Sequence, residues 1–534
     1  MGPVLLALIA ASILLPAAPR AIAVGDVDGD GSPEIVLLLA WPRWGSALRN
    51  GATAPGMMEV DVVPAVEERR EIRVLRLADG RLAPAATPLR VGQEVLALGA
   101  GGPRQPVLVL ADGGIFRLAP VPSAAAGEPP RLRLEQVASI PGHLLSGTGR
   151  VVSRFPFVRD LDGRPPAEVT VPVQDGFLLV QPGGVRSRLP APVARVEGTA
   201  ADLAIPVPAD LDGDGTGDLV AWLDRAAGPD GHASLGRVAL FRGRGRLAWA
   251  PPRVFDLDPL LEVLLPPAPE RDPGSWQGLV VAGVADWDRD GTPEVALERR
   301  TLAVSSAREA LRTFRRAPVR YTFHRLLPGG RVEERPEWTL EATGLDYPFV
   351  EGGPRSPFAD LDGDGVPELV TVDLGIGWFG VGRALVTGTG RAFVRPHLFR
   401  FAGGRFREVA GAVPQLVGRM NLREGELRRF ARWPADLDGD GIRELVEVAE
   451  DQLRIRYGRP GPRWPARPDA RVRLAGPLRH WLGMQAVDLD GVPPRELLLV
   501  ETVPVRGKRT PEGEELAEPV LLEIVRPPLP GETR

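Results

Sequence analysis

The stretch GDVDGDGSPEIV, Gly25 to Val36, carries carboxylates at Asp26, Asp28, Asp30 and Glu34 with glycines set between them. Alternate positions of a tight loop converge on one centre, and glycine lets the backbone curl around it. Four like charges in one loop repel unless a cation sits among them. Calcium takes about six to eight oxygens from carboxylates and carbonyls, which suits this pattern. Asp26, Asp28, Asp30 and Glu34 offer side-chain oxygens, and Ser32 its carbonyl. Magnesium fits less well, because it keeps its waters and prefers strict octahedral sites. The plain alternative is a solvated acidic turn, for which Asp-Gly is ordinary.

The pattern recurs. Complete copies stand at Asp210, Asp212, Asp214, Thr216 and Asp218, and at Asp286, Asp288, Asp290, Thr292 and Glu294. Two more stand at Asp360, Asp362, Asp364, Val366 and Glu368, and at Asp436, Asp438, Asp440, Ile442 and Glu444. Copies also begin at Asp160 and Asp488, but Arg164 and Val492 replace their third carboxylate. An eighth stretch, GAGGPRQPVLVL from Gly99, keeps the cadence without carboxylates. These three are expected to fold without metal, with the Arg164 guanidinium standing in for the ion in its loop. The five complete loops imply about five ions.

The spacing runs from 50 residues (Asp160 to Asp210) to 76 (Asp210 to Asp286). Periods of this size mean an array or a propeller. Between the acidic stretches lie hairpins such as IRVLRLADGRLAP (Ile72), VALFRGRGRLAWA (Val238) and HLFRFAGGRFREV (His397). Alternating residues around Gly-Gly or Asp-Gly are a hairpin signal, since such turns need positive φ. Each repeat therefore reads as four antiparallel strands, and the chain as one all-β propeller. Eight blades are expected by count, with seven the alternative, because no fourth strand is obvious after PVLLEIVRPP at the C-terminal end.

The repeated DLDGDGxPELV resembles the FG-GAP/VCBS repeat of integrin-α-like β-propellers, over about Ala21 to Pro527. The resemblance implies the same ion, calcium, held at strand-to-strand turns where it ties a blade together. That family's usual blade count is seven.

The bulk composition agrees with a soluble repeat protein. Glycine (63) and proline (57) are plentiful among 534 residues, which favours short strands and turns over helices. A formal charge of −4 gives no reason to expect nucleic acid as a partner. The absence of cysteine removes disulfides, thiolate catalysis, cysteine-bound zinc and lipoprotein anchoring. VLLALIAASILLPAA, Val4 to Ala18, has the length of a signal-peptide core, so residues 1–20 read as a signal peptide or N-terminal anchor. The alternative is a buried first strand. Residues 21–527 form the propeller and 528–534 a tail, in an extracytoplasmic (periplasmic, secreted or cell-surface) monomer.

No catalytic constellation stands out. The five histidines, His143, His232, His324, His397 and His480, are scattered, and no nucleophile elbow, His-Glu-x-x-His helix or phosphate loop is present. The expected role is a non-catalytic binding or scaffold module for a protein or glycan partner. The alternative is a calcium-dependent polysaccharide lyase or hydrolase. Three inserts could carry recognition: 41–70 with Trp41 and Trp44, 302–320 with a capped amphipathic helix from Ser305, and 375–396 with Trp378 and Phe379.

Overall fold

Runs such as EIVLLLAWP are apolar at consecutive positions, which suits strands covered on both faces. Ile35 through Leu39 are all at most 1% exposed. A computed structural model gives the architecture. It describes the chain outside 1–4, 7, 18, 43–66, 123–127, 148–156, 163, 165, 175, 182–185, 190–195, 198–199, 202–205, 213, 215, 223–234, 246–247, 265–274, 304–316, 347–356, 376–388, 422–425, 450–451, 475–483, 503–519 and 530–534.

Eight four-stranded antiparallel blades make up an eight-bladed β-propeller. The helix Pro259–Leu264 is the only one among the described residues. In chain order, blade 1 is built on Pro19–Gly25, Glu34–Pro42 and Glu67–Ala78, with Arg81–Pro84 and Leu89–Val91 both along its outer edge. Blade 2 runs Val95–Gly99, Leu108–Ala111, Gly114–Val121, Arg131–Ser139, and blade 3 runs Val158–Arg159, Glu168–Val173, Gly176–Val180, Arg186–Leu189. Blade 4 uses Val207–Ala209, Asp218–Trp222, Arg237–Phe241 and Arg253–Asp256. Blade 5 uses Ser275–Ala285, Glu294–Ala303, Pro318–Leu327 and Trp338–Thr343.

In blade 6 two short pieces, Leu345–Asp346 and Phe358–Ala359, share the first-strand position against Glu368–Gly375. Thr389–Phe401 follows, and Leu416–Asn421 pairs both with it and with Glu426–Arg432, the first strand of blade 7. Blade 7 continues with Leu445–Ala449, Gln452–Arg456 and Ala470–Arg473.

Blade 8 answers the question of the missing strand. Met484–Val487, Glu496–Thr502 and Val520–Arg526 are its C-terminal strands, and Leu8–Leu15 supplies the fourth. The segment that reads as a signal-peptide core is thus paired residue by residue with Val520–Arg526, with Ala11 and Leu15 buried among Leu498, Leu522 and Ile524.

The chain divides into two compact units. Leu6–Ile205 with Val472–Glu532 holds blades 8, 1, 2 and 3, and Pro206–Arg471 holds blades 4 to 7. Within each unit, neighbouring blades bury apolar faces against each other. Leu96, Leu110, Phe157 and Val171 join blades 2 and 3, and an aromatic cluster of Trp287, Phe323, Phe358 and Phe406 joins blades 5 and 6. Each such side chain contributes about 1.5–3 kcal/mol of burial.

Trp41, expected in a recognition insert, ends the second strand of blade 1. It is buried in the core, with the Arg69 guanidinium 4.4 Å over its ring. Trp44, the helix expected from Ser305 to Arg316, Trp378, Phe379, His232 and His480 lie outside the described residues.

Candidate metal centres

Every acidic stretch occupies the same place: the loop between the first and second strands of its blade. The last carboxylate, eight residues after the first, opens the second strand. Its position is set by register, as Gly25 pairs with Glu34, Ala285 with Glu294 and Ala359 with Glu368. Gly25 has to be glycine, because a Cβ there would stand 2.5 Å from the Gln105 carbonyl of the neighbouring loop.

The eighth-position carboxylate is buried and does one thing in all seven acidic loops. It accepts a hydrogen bond from the backbone N–H that follows the first aspartate. The bonds run from Val27 to Glu34 (2.9 Å), Leu161 to Glu168 (2.9 Å), Leu211 to Asp218 (3.1 Å) and Trp287 to Glu294 (3.2 Å). They continue from Leu361 to Glu368 (2.9 Å), Leu437 to Glu444, and Leu489 to Glu496 (3.1 Å). One carboxylate oxygen thus closes the loop. The other is held by a second donor in Glu168 (Gln181), Asp218 (Gly243) and Glu444 (Gly458), whereas in Glu34, Glu294 and Glu368 it has no hydrogen-bond partner.

The first aspartate organises the backbone. Asp26 accepts from the N–H of Gly29 at 2.6 Å and of Gly31 at 3.0 Å, and Asp436 does the same with Gly439 (2.7 Å) and Gly441 (3.0 Å). Gly439 and Gly441 have φ of 85° and 93°, so glycine is required at both. Blade 5 departs from this pattern: Arg289 takes the first of these positions at φ 60° and reaches the Asp364 carbonyl in the blade 6 loop.

The carboxylates converge. Asp286, Asp288, Asp290 and Glu294 offer oxygens all within 4.8 Å of one another, as do Asp436, Asp438, Asp440 and Glu444. Asp26, Asp28 and Glu34 form a third group, and Asp210, Asp212 and Asp218 a fourth. In blade 6, burial and then the Asp364 charge raise the Asp362 carboxyl above its ordinary value, and its Oδ1 has no hydrogen-bond partner.

Electrostatics agree with the convergence of these carboxylates. Burial first, then the neighbouring aspartates, push the Glu34 carboxyl up to about 7, Glu368 and Glu444 to about 8, and Glu294 to about 9. The hydrogen bond from the loop N–H opposes the rise in each. An orphaned buried oxygen beside three like charges is what a divalent cation relieves. The residues present fit such an ion most fully in blades 5 and 7, where three aspartates and the eighth-position carboxylate come together; the groups of blades 1 and 4 do not include the expected Asp30 and Asp214. The carbonyls of Ser32, Thr216, Thr292, Val366 and Ile442 are the further donors the motif offers.

The incomplete copies differ from expectation in one respect. Asp160, Asp162 and Glu168 still converge within 4.8 Å. Arg164 contributes its backbone N–H to Asp160 (2.9 Å) and Asp162 (3.0 Å), while its side chain forms no ion pair among the described residues. The stand-in is Gln181, whose amide donates to Glu168 at 3.1 Å. In blade 2, Gln105 takes over a linking role: its carbonyl accepts from Asp26 N–H (2.9 Å) and its Oε1 from Ala167 N–H (3.3 Å).

Sequence reasoning missed the residue across the hairpin from the eighth-position carboxylate. Register pairs Arg325 with Glu294, and one residue beyond the paired positions it sets Arg76 across from Glu34, Arg242 from Asp218, Arg400 from Glu368 and Arg526 from Glu496. Blade 3 has Gln181 there and blade 7 has Tyr457. The signal was present in the hairpins themselves, where VLRLADG, LFRGRG and LFRFAGG each carry an arginine at one offset before the turn.

The described histidines do not converge. His143 lies in the loop after blade 2 and bonds the Ala111 carbonyl, His324 is buried in blade 5 on Thr322 and the Glu333 carbonyl, and His397 pairs with Asp373 and Glu408 in blade 6. Among the described residues no helix is long and apolar enough to cross a membrane.

No protein-family model matches the sequence, and no curated protein does. Among solved structures, a Lactobacillus plantarum protein is 12% identical with a TM-score of 0.29, covering 73% of this chain and 83% of that one. The Photorhabdus luminescens Tc holotoxin pore is 13% identical with a TM-score of 0.28, covering 92% of this chain and 20% of that one. Rhamnogalacturonan lyase YesW is 14% identical with a TM-score of 0.23, covering 94% of this chain and 69% of that one.

Proposed function

We propose that this chain is an exported calcium-binding propeller of the FG-GAP/VCBS repeat type, serving as a non-catalytic binding or scaffold module for a protein or glycan. The observation that carries the metal reading is the eighth-position carboxylate. A buried glutamate with one oxygen bonded to the loop and the other unpartnered, facing three aspartates, recurs at Glu34, Glu294 and Glu368. An acidic turn needs the aspartates, which cap the backbone, but has no use for a buried orphan oxygen.

The ion would neutralise the cluster and hold the first two strands of each blade in register. The chain's own residues prepare this: the loop N–H fixes the glutamate, and the glycines aim the aspartates inward. Calcium at the concentrations outside the cytoplasm suits open loop sites of modest affinity, which supports an extracytoplasmic location. Export is proposed on the calcium reading alone, because Leu8–Leu15 is a strand of blade 8, and cell fractionation checks it. The scaffold reading rests on three described histidines held in separate surroundings, His143 and His324 on backbone carbonyls and His397 between two carboxylates.

Two measurements test the proposal. Calcium titrated into chelator-treated protein should raise the melting temperature, and a melting curve indifferent to calcium would overturn the metal reading. Incubation with acidic and neutral glycans should yield no new reducing ends or unsaturated sugars. Turnover would overturn the scaffold reading.

A further inference from the structure

The acidic loops differ in what faces them across the hairpin, and this difference bears on which of them need an external cation. It rests on the metal reading above. In blade 4, Arg242 Nη1 stands 2.7 Å from Asp218 Oδ2 and 3.0 Å from Asp212 Oδ2. In blade 6, Arg400 Nη2 stands 2.5 Å from Asp364 Oδ2 and 3.2 Å from Asp362 Oδ2, with its Nε 3.8 Å from Glu368. Each guanidinium spans the ligand set of its own loop.

Blades 1 and 7 are different. Arg76 reaches only Asp30, at 3.7 Å with both side chains well exposed, and leaves Asp26, Asp28 and Glu34 without a cation. In blade 7 the facing residue is Tyr457, and no ion pair reaches Asp436, Asp438, Asp440 or Glu444 among the described residues. Blade 5 lies between the two cases, because Arg325 pairs with Asp290 and stands 3.8 Å from Asp288 but is also held by Glu337 at 2.6 Å.

We infer that the residue facing the eighth-position carboxylate ranks the loops as divalent-cation sites. Blades 1 and 7 take the cation most tightly, and blades 4 and 6 carry a resident guanidinium that a divalent ion must displace. The physical reason is competition: a fixed positive charge beside the ligands repels an incoming ion and occupies part of their coordination space. The motif alone cannot show this, since the loops of blades 4, 6 and 7 all read DLDGDG.

Calorimetric calcium titration of the full chain tests the ranking. Two tight sites are expected in the unaltered protein, and Asp438→Asn should remove one of them. Arg400→Met should add a third tight site, its loop gaining about tenfold or more in affinity. Tyr457→Arg should weaken one of the original two by a similar factor. Tyr457 is buried (5% exposed), so its variant is first checked for a native circular dichroism spectrum. Arg400→Met carries the test if that variant does not fold. Five equal sites, or affinities unmoved by Arg400→Met, would overturn this inference and leave the metal reading standing. No calcium binding by the unaltered chain or any variant would overturn both.

Discussion

The acidic loops of blades 4 and 7 are written almost alike, DLDGDGTGD from Asp210 and DLDGDGIRE from Asp436, yet they balance their charge differently. The blade 7 loop curls on Gly439 and Gly441, and both loops end in a buried carboxylate that accepts a loop N–H. Blade 4 then sets Arg242 among its carboxylates, while blade 7 leaves four of them facing one another. One repeat unit thus has two ways to hold negative charge at a strand turn, one internal and one that calls for an ion. The choice is made on the third strand, outside the motif.

The largest effect expected from breaking this contrast is in blade 4 without metal. Arg242→Met leaves Asp218, 2% exposed, without its counter-charge. Removing one partner of a buried pair costs about 3 kcal/mol. Chemical denaturation in chelator should show that loss, and added calcium should restore part of it. An unchanged denaturation midpoint would mean that the guanidinium is incidental.

Chelating the unaltered protein should cost less per site. A loop held tenfold above its dissociation constant gains about 1.4 kcal/mol by mass action. Thermal melting with and without chelator reads the sum over the occupied loops.

The pH response sharpens the comparison further. The carboxyls of Glu34, Glu294, Glu368 and Glu444 ordinarily titrate near 4.5, and burial moves them to about 7, 9, 8 and 8 in the folded chain. The folded state therefore binds protons more tightly than the unfolded one between 4.5 and these values. Stability of the chelated protein should then fall as pH rises through this window. Calcium holds the carboxylates ionised, so saturating ion should remove the fall. Denaturation midpoints from pH 5 to 9, in chelator and in calcium, would show the two slopes, and identical slopes would count against the metal.

The smallest effect is a difference between two alanine variants. Asp438→Ala should abolish about 1.4 kcal/mol of calcium-dependent stabilisation, the share of one loop. Asp162→Ala, in the loop closed by Gln181, should leave the calcium-dependent part unchanged. Equal calcium dependence in the two variants would mean that blade 3 also takes an ion.

Much of this was legible in the sequence because its causes are local. The glycines at positive φ, the alternation of aspartates and the Gly-Gly and Asp-Gly turns act within a few residues, so the loops from Asp26 to Glu34 and from Asp436 to Glu444 fold as their spacing predicts. What was misread depends on strands far apart in the chain. Trp41 looked like part of an exposed insert because its neighbours include Trp44 and Arg49, but it ends a strand buried between blades 8 and 1. Arg164 looked like the stand-in cation because it sits inside the motif, whereas Gln181, across the hairpin, fills that place.

The sequence by itself determined the repeat, its eight copies and the carboxylates of seven of them. These follow from periodicity and turn chemistry, which need no partner from elsewhere in the chain. Only the tertiary structure decided the fourth strand of blade 8 and the counter-charge of each loop. Leu8–Leu15 is apolar enough to suit a leader or a buried strand alike, and what distinguishes it here is pairing with Val520–Arg526, some five hundred residues away. Arg242 and Tyr457 are ordinary residues in their hairpins until register sets each beside a buried carboxylate. A side chain's charge is written locally, but what it neutralises is fixed by which strand lies next to it.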